Sequence, residues 1–258
     1  MMSRPRFIAR RPVLVGLIVL MVVVVAIDLA TDRASAVEVM LLVVLVGWIS
    51  ESLFRSRVDA EARESDANAR WALAGLMGTG ETWPTMGGWA LGPAAVTEWI
   101  RRVSAMETPQ VVELGPGSST LLLARAVPHA RVHAVEHDPV YGDRIRAAAT
   151  GWGLSGVTVV DAPLRATAEE TAWYSGDSVS ALPERVDALL VDGPPNWDGK
   201  GRRSPARRVI EERMPAGALV LVDDTDRPDE RKMVRGWVRS GLCRVVQDSG
   251  NHVFLEKC

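Results

Sequence analysis

The stretch that most constrains this chain runs Val-Val-Glu-Leu-Gly-Pro-Gly-Ser-Ser-Thr, from Val111 to Thr120. Val111, Val112 and Leu114 form the apolar run of a strand buried on both faces. Gly115 and Gly117, with Pro116 between them, make a tight turn where a ligand can approach the main chain closely. Ser118, Ser119 and Thr120 supply N-cap oxygens for an apolar helix over Leu121–Val127. A strand, a glycine turn and a helix in that order form a nucleotide-type cradle at the carboxyl end of a parallel sheet.

A second short strand follows, Arg131–Glu136, and it ends in an acid. Glu136 lies about 20 residues beyond the glycines, where a carboxylate accepts hydrogen bonds from ribose hydroxyls. A dinucleotide fingerprint, Gly-x-Gly-x-x-Gly, fits poorly. Thr120 replaces the third glycine, and Glu113 would repel a pyrophosphate but suit a cationic group. In these residues the chain resembles the class I S-adenosylmethionine (SAM)-dependent methyltransferases, whose motif I is Glu-x-Gly-x-Gly.

The resemblance implies roles along the chain from about Thr82 to Lys257. Glu113 would hold the amino group of SAM. The main chain of Gly115, Pro116, Gly117, Ser118 and Ser119 would take its methionine part. Glu136, with His137 beside it, would take the ribose. After the helix Val140–Thr150, a third strand over Gly156–Val160 leads to Asp161 and Ala162, where the family holds adenine. Asp161 reads equally well as a simple turn aspartate. Trp83 and Trp89, in the Gly-, Trp- and Pro-rich lead-in Gly78–Pro93, either line the pocket or anchor the lead-in. Trp173 and Tyr174 sit in a long connection, of the kind that is often functional, without a role the sequence decides.

The fourth strand, Val186–Asp192, runs into Gly193-Pro194-Pro195, so Asp192 projects from the carboxyl end of a central strand beside the glycine turn. The next loop carries Lys200, Arg202 and Arg203, a basic set that either closes over an acidic acceptor or is simply solvated. The fifth strand, Gly217–Asp223, ends in Asp223-Asp224. Three carboxylates therefore meet at one edge. Like charges in such proximity share protons or bind a cation, and hard oxygen ligands suit Mg²⁺ or Ca²⁺. Asp192, Asp223 and Asp224 are thus a candidate metal set. The catechol-type O-methyltransferases have a similar layout, but with an amide at the place of Asp224 and a lysine where Pro195 and Asn196 stand. Without metal, Asp192 or Asp223 would act as general base or orient the acceptor hydroxyl, and Asp192 would also border the cofactor. The helix Thr225–Ser240 is followed by strands Leu242–Asp248 and Asn251–Lys257, joined at Ser249-Gly250. Such a hairpin matches the antiparallel last strand of class I methyltransferases. The nearest likeness is to small bacterial methyltransferases with an Asp-Gly-Pro-Pro turn.

The expected fold is an α/β Rossmann-like sheet with an antiparallel last strand, preceded by a transmembrane helical hairpin. Val13–Ile27 holds no charged residue, and Pro12–Ala30 holds only Asp28. Nineteen residues of helix rise about 28 Å, close to the bilayer core. A shorter run, Val39–Ile49, extends over Ala34–Ser50 with Glu38 inside it. Arg4, Arg6, Arg10 and Arg11 precede the first run, and Arg55 and Arg57 follow the second. Only Arg33 lies between them. The positive-inside rule then places both ends in the cytoplasm, with Trp48 at an interface. Ala34-Ser35-Ala36 also mimics a signal-peptide cleavage site, with the second run as a stop-transfer segment. The resulting division is a membrane anchor over 1–54, a charged helical linker over 55–80 and a methyltransferase domain over 81–258.

Among 258 residues with net charge −2, no basic excess argues for nucleic acid. The two cysteines, Cys243 and Cys258, have no metal spacing. The expected activity is SAM-dependent methyl transfer, of the O-methylation type, to a membrane-proximal small molecule, lipid or glycan. An aminopropyltransferase using decarboxylated SAM and a non-catalytic SAM-binding protein remain open alternatives. An NAD-dependent oxidoreductase fits least, because of Glu113, Thr120 and the final hairpin.

Overall fold

A 39-residue helix, α1 (Ala36–Ala74), stands first in the computed structural model, which describes residues 36–75, 90–165, 172–195 and 201–258 and four isolated earlier positions. The chain divides into two compact units, Met1–Glu64 and Ser65–Cys258. In the first, α1 exposes Met40, Val43, Val44, Trp48, Leu53 and Phe54. Among the described residues no helix is long and apolar enough to cross a membrane. The expected hairpin is thus not found. Its second arm, Val39–Ile49, covers only about 16 Å of helix axis before Glu51, against a core of ~30 Å. Its first arm, Pro12–Ala30, lies almost wholly outside the described residues, as do Trp83 and Trp89. The division expected at residue 54 falls inside α1, which continues unbroken through the charged stretch.

The second unit is a three-layer α/β/α structure. It begins with α2 (Pro93–Val103), β1 (Gln110–Leu114), α3 (Ser118–Ala126), β2 (Arg131–Glu136), α4 (Pro139–Gly151) and β3 (Val157–Asp161). A two-stranded antiparallel ribbon, β4 (Leu164–Arg165) and β5 (Trp173–Tyr174), and a short helix, α5 (Gly176–Ser180), come next. The chain then returns through β6 (Ala188–Val191), α6 (Ala206–Arg213), β7 (Leu219–Asp223), α7 (Pro228–Arg239), β8 (Cys243–Asp248) and β9 (His252–Lys257). The ribbon, α5 and α6 have no counterpart in the sequence reading; β1, β2, β3, β6, β7, β8 and β9 and helices α3, α4 and α7 fall within three residues of it.

The main sheet has the order β3-β2-β1-β6-β7-β9-β8. β1, β2, β3, β6 and β7 pair in parallel, and β9 is antiparallel to both its neighbours. The expected fold class is therefore present in this unit, including the reversed last strand. The buried strands alternate faces with period two. Leu189 and Val191 join Val220, Val222, Ile210 and Trp237 on one side, under α6 and α7. Leu190 and Leu221 join Trp99, Val96, Leu122 and Phe254 on the other, under α2 and α3. α2 buries Ala95, Val96, Trp99 and Val103, spacings that put one helical face on the sheet.

Candidate active site

Five parallel strands end at one edge, and the order reverses between β1 and β6, since the chain turns outward to β2 and β3 before returning. That switch point is where open α/β sheets hold ligands. The ends of the five strands carry the Gly115–Gly117 turn, Glu136, Asp161, Asp192 and Asp223.

At the turn, Gly115 has φ of +88° and lies against the start of the loop after β6. A Cβ on it would stand 3.0 Å from both Cα and N of Gly193. A Cβ on Gly117 would meet only the Tyr141 hydroxyl, at 3.8 Å, so its face of the turn is open. α3 starts at Ser118, with Gly117 itself at the N-cap. Ser118 and Ser119 are thus inside the helix and buried, and the cap lies at least one place earlier than the sequence suggests.

Thr120 explains the local geometry. Its hydroxyl accepts from Gly117 N–H at 3.0 Å and donates to Glu113 Oε2 at 2.5 Å. Ser119 Oγ adds a longer contact at 3.5 Å. Glu113 has no solvent exposure, and its Oε1 has no hydrogen-bond partner. Burial pushes its carboxyl up to about 7, against the lowering effect of Thr120, Trp99 and Ser119. The Trp99 indole N–H is close enough to contribute, though it makes no hydrogen bond of good geometry. In this arrangement Oε2 of Glu113 braces the turn through Thr120, and Oε1 is left without a partner among the described residues.

Glu136 Oε1 accepts from the main-chain N–H of His137 at 2.7 Å and of Asp138 at 2.8 Å, which fixes the carboxylate at the end of β2. His137 Nδ1 stands 2.6 Å from the same oxygen, at an angle that makes no hydrogen bond. Asp161 pairs with Glu136 in the strand register, but its carboxylate forms an ion pair with Arg146 at 2.6 Å. The N–H of the buried Ala162 is committed to the Glu136 carbonyl at 2.7 Å. Of the two residues expected at adenine, Asp161 is engaged by a helix cation and Ala162 offers no free main-chain donor.

The chain's two tyrosines both turn to this edge. The Tyr174 ring is buried, and its hydroxyl has no partner among the described residues. It lies where a Gly193 Cβ would come within 2.5 Å of it. Burial raises its pKa well above the ordinary value, with Glu136 and Asp192 adding to the effect and Arg203 opposing it. Half-buried Tyr141 is raised for the same first reason, again with Glu136 and Asp192 contributing. A buried unpartnered hydroxyl costs about 1–3 kcal/mol unless something bonds it. Tyr174 reaches this edge from a two-residue strand too short for any periodicity to signal.

Carboxylate oxygens of Asp192, Asp223 and Asp224 lie within 4.8 Å of one another. Asp224 adopts φ of +59°, a left-handed turn that aspartate tolerates. Burial lifts Asp192 well above the usual carboxylate range; Asp223 adds to this and Arg203 opposes it. Asp223 is pushed up to about 6, by burial and then by Asp224.

The residue that sequence reasoning misplaced is Arg203. Read as part of a basic loop, it is 3% exposed and sits under the acids. Nη2 is 3.3 Å from Asp192 Oδ1, 2.9 Å from Asp224 Oδ2, and 2.5 Å from the Asp192 carbonyl. Nη1 donates to the Asp223 carbonyl at 3.2 Å and Nε to the Pro194 carbonyl at 3.4 Å. Arg227, more exposed, also pairs with Asp224, at 2.8 Å. A divalent ion needs carboxylate oxygens at about 2.0–2.6 Å. The guanidinium already engages carboxylate oxygens of two of the three acids, Asp192 and Asp224, so the set as it stands is paired with a cation of the chain's own and fits Mg²⁺ poorly. Nothing in the sequence marks Arg203 apart from Arg202 beside it, because only the fold turns one of them inward.

The sheet order, the glycine turn and the acid after β2 define the fold of the class I SAM-dependent methyltransferases. Among solved structures, precorrin-6y C5,15-methyltransferase from Geobacter metallireducens matches with a TM-score of 0.50 at 14% identity, over 71% of this chain and 99% of its own. Cofactor-bound Rv0187 from MTB matches with a TM-score of 0.52 at 18% identity, over 78% and 89%. At these identities the likeness is one of fold. No protein-family model matches the sequence, and no curated protein does.

Proposed function

We propose that the chain is a SAM-dependent methyltransferase that methylates a hydroxyl group of a membrane-proximal small molecule, lipid or glycan. The observation that carries this reading is the juxtaposition, at the switch point, of the open Gly117 face, the fixed Glu136 carboxylate and the unpartnered Tyr174 hydroxyl. Each is suited to a polar nucleoside ligand, and the unpartnered hydroxyl is one that a bound ligand would satisfy.

SAM, when bound, supplies a methyl group on a cationic sulfonium that leaves by direct displacement. The residues here do the rest. Glu136 receives the ribose hydroxyls, and Glu113 holds the turn in shape through Thr120. Asp192 and Asp223 stand beside the turn with elevated pKa values. A base of that kind is better matched to a hydroxyl than an ordinary aspartate is. As the new oxygen–methyl bond forms, the hydroxyl proton passes to one of this pair. Positioning of acceptor and donor supplies much of the rate.

The membrane part of the reading rests on the uncharged run Val13–Ile27 and on the exposed apolar residues between Met40 and Phe54. Flotation of the full chain with liposomes, and its resistance to carbonate extraction, test that part. Calorimetric titration of the full chain with SAM, decarboxylated SAM and NAD tests the rest. Binding of SAM alone supports methyl transfer. Preference for decarboxylated SAM moves the reading to aminopropyl transfer, and binding of none by folded protein ends it.

A further inference from the structure

We infer that Arg203 is this site's built-in cation: its guanidinium holds Asp192 and Asp224 in the place a divalent metal ion would take, and the site works without Mg²⁺ or Ca²⁺. The inference rests on the methyltransferase reading for its chemistry, but not for its geometry.

Three observations carry it. Nη2 contacts two of the three carboxylates, at 3.3 and 2.9 Å, while their oxygens cluster within 4.8 Å. The guanidinium is anchored on the other side by the carbonyls of Asp192, Pro194 and Asp223, which lie at the ends of two adjacent strands. A planar fork with five fixed donors, bonded on both sides and 3% exposed, is a fixed part of the site rather than a mobile surface charge. Moreover, a guanidinium is charged at every accessible pH. An ion entering the cluster would have to displace it and leave an unpaired buried cation, which is costly.

The two kinds of cation serve a reaction differently. A metal ion takes up carboxylate lone pairs and offers open positions to the acceptor oxygen. A guanidinium orients a carboxylate through hydrogen bonds and leaves its remaining lone pairs free to take a proton. Arg203 is accordingly a positioning residue. It aims Asp192 and ties the loop after β6 to the end of β7, so that the acids and the Gly193 turn keep one relative placement.

The test is Mn²⁺ binding by electron paramagnetic resonance on the full chain, which requires neither SAM nor an acceptor. Wild-type protein is expected to bind no Mn²⁺ at this cluster, and its SAM affinity is expected to be the same with EDTA and with Mg²⁺. Arg203→Met is expected to gain a Mn²⁺ site with a Kd of about 10⁻⁴ to 10⁻³ M, the range of weak oxygen-ligand sites. That site is lost again in the Arg203→Met, Asp224→Asn double variant. Arg203→Lys retains the charge and is expected to bind none. If Arg203→Met does not fold, Arg203→Gln carries the same measurement. A purely structural arginine would confer no metal site on removal, so a folded variant without Mn²⁺ binding overturns the inference. So does Mn²⁺ bound by wild type and released by Asp224→Asn. Failure of SAM to bind, with the Mn²⁺ results as expected, removes the enzyme reading and leaves the cation assignment standing.

Discussion

Gly115 and Gly193 meet backbone against backbone, where the turn after β1 crosses the loop after β6. A Cβ on Gly193 would fall 2.9 Å from Gly115 Cα and 2.5 Å from the Tyr174 hydroxyl. Neither glycine has room for a methyl group, and Gly115 also has a positive φ. Gly193→Ala and Gly115→Ala are each expected to lower unfolding free energy by about 1–3 kcal/mol, the usual cost of overpacking, and to weaken SAM binding. Gly217→Ala is the control. It has φ of +83° with open space around it, so it carries conformational strain alone. Urea titration of the three variants separates steric from conformational cost.

Tyr174→Phe is expected to split stability from binding. The lost hydroxyl has no partner among the described residues. Unfolding free energy should therefore stay level or rise by about 1 kcal/mol, since the buried group was unsatisfied. SAM affinity should fall about tenfold, the worth of one ligand hydrogen bond. A loss of stability with unchanged affinity would place the hydroxyl outside the ligand site.

Glu136→Gln keeps a side-chain oxygen for the His137 and Asp138 amides but removes the charge. It is expected to reduce SAM affinity by about one to two orders of magnitude, because hydrogen bonds to charged groups are worth about 1.5–3 kcal/mol. Calorimetry checks it, with far-UV circular dichroism showing that the fold is kept.

The contribution of two buried acids to stability should fall as pH rises from about 4 to 7. Glu113 and Asp223 have folded pKa values of about 7 and about 6, both above their unfolded values. The folded state therefore holds more protons in that window, and the stability it gains is present at low pH and lost as pH passes the folded values. For Glu113 the effect is on the order of 3 kcal/mol. Denaturant titrations between about pH 4 and 8 should show this slope levelling off above about 7, and Glu113→Gln should flatten the part between about 4.5 and 7.

Activity should run the opposite way. A carboxylate acting as base must be deprotonated, so methyl transfer should rise with pH through a limb above the ordinary carboxylate range, since burial raises both Asp192 and Asp223. Asp192→Asn is expected to cost about 10²-fold or more in turnover, the usual worth of a general base. Transfer of radiolabelled methyl to the acceptor recovered from a lipid and glycan screen provides the readout. Unchanged turnover would remove Asp192 from the chemistry.

How far the sequence reaches depends on the range of the interaction. Leu189 to Val191 and Leu219 to Val222 are continuous apolar runs, so the central strands, their order of appearance and the acids at their ends were readable. The final hairpin was readable too, from Ser249-Gly250. Arg203 was not, because its inward turn depends on carbonyls of Pro194 and Asp223, which are distant in sequence. The ribbon of β4 and β5 is two residues per strand, below the length at which alternation carries information. The charge of Glu113 is visible in the sequence, whereas its bond to the Thr120 hydroxyl, seven residues on in the next helix, is not.

The reversed strand has a consequence for how the chain is made. β8 leaves the ribosome before β9, yet β9 lies between β7 and β8 in the finished sheet. Until β9 arrives, the Leu219–Asp223 edge has no partner on that side and β8 has no place to dock. For that interval a nascent chain carries an open, apolar sheet edge of the kind that pairs with other chains. Completion of the acid-bearing end of β7 thus waits for β9, the last strand of the sheet to emerge, while the Gly115–Gly117 turn rests on strands made earlier.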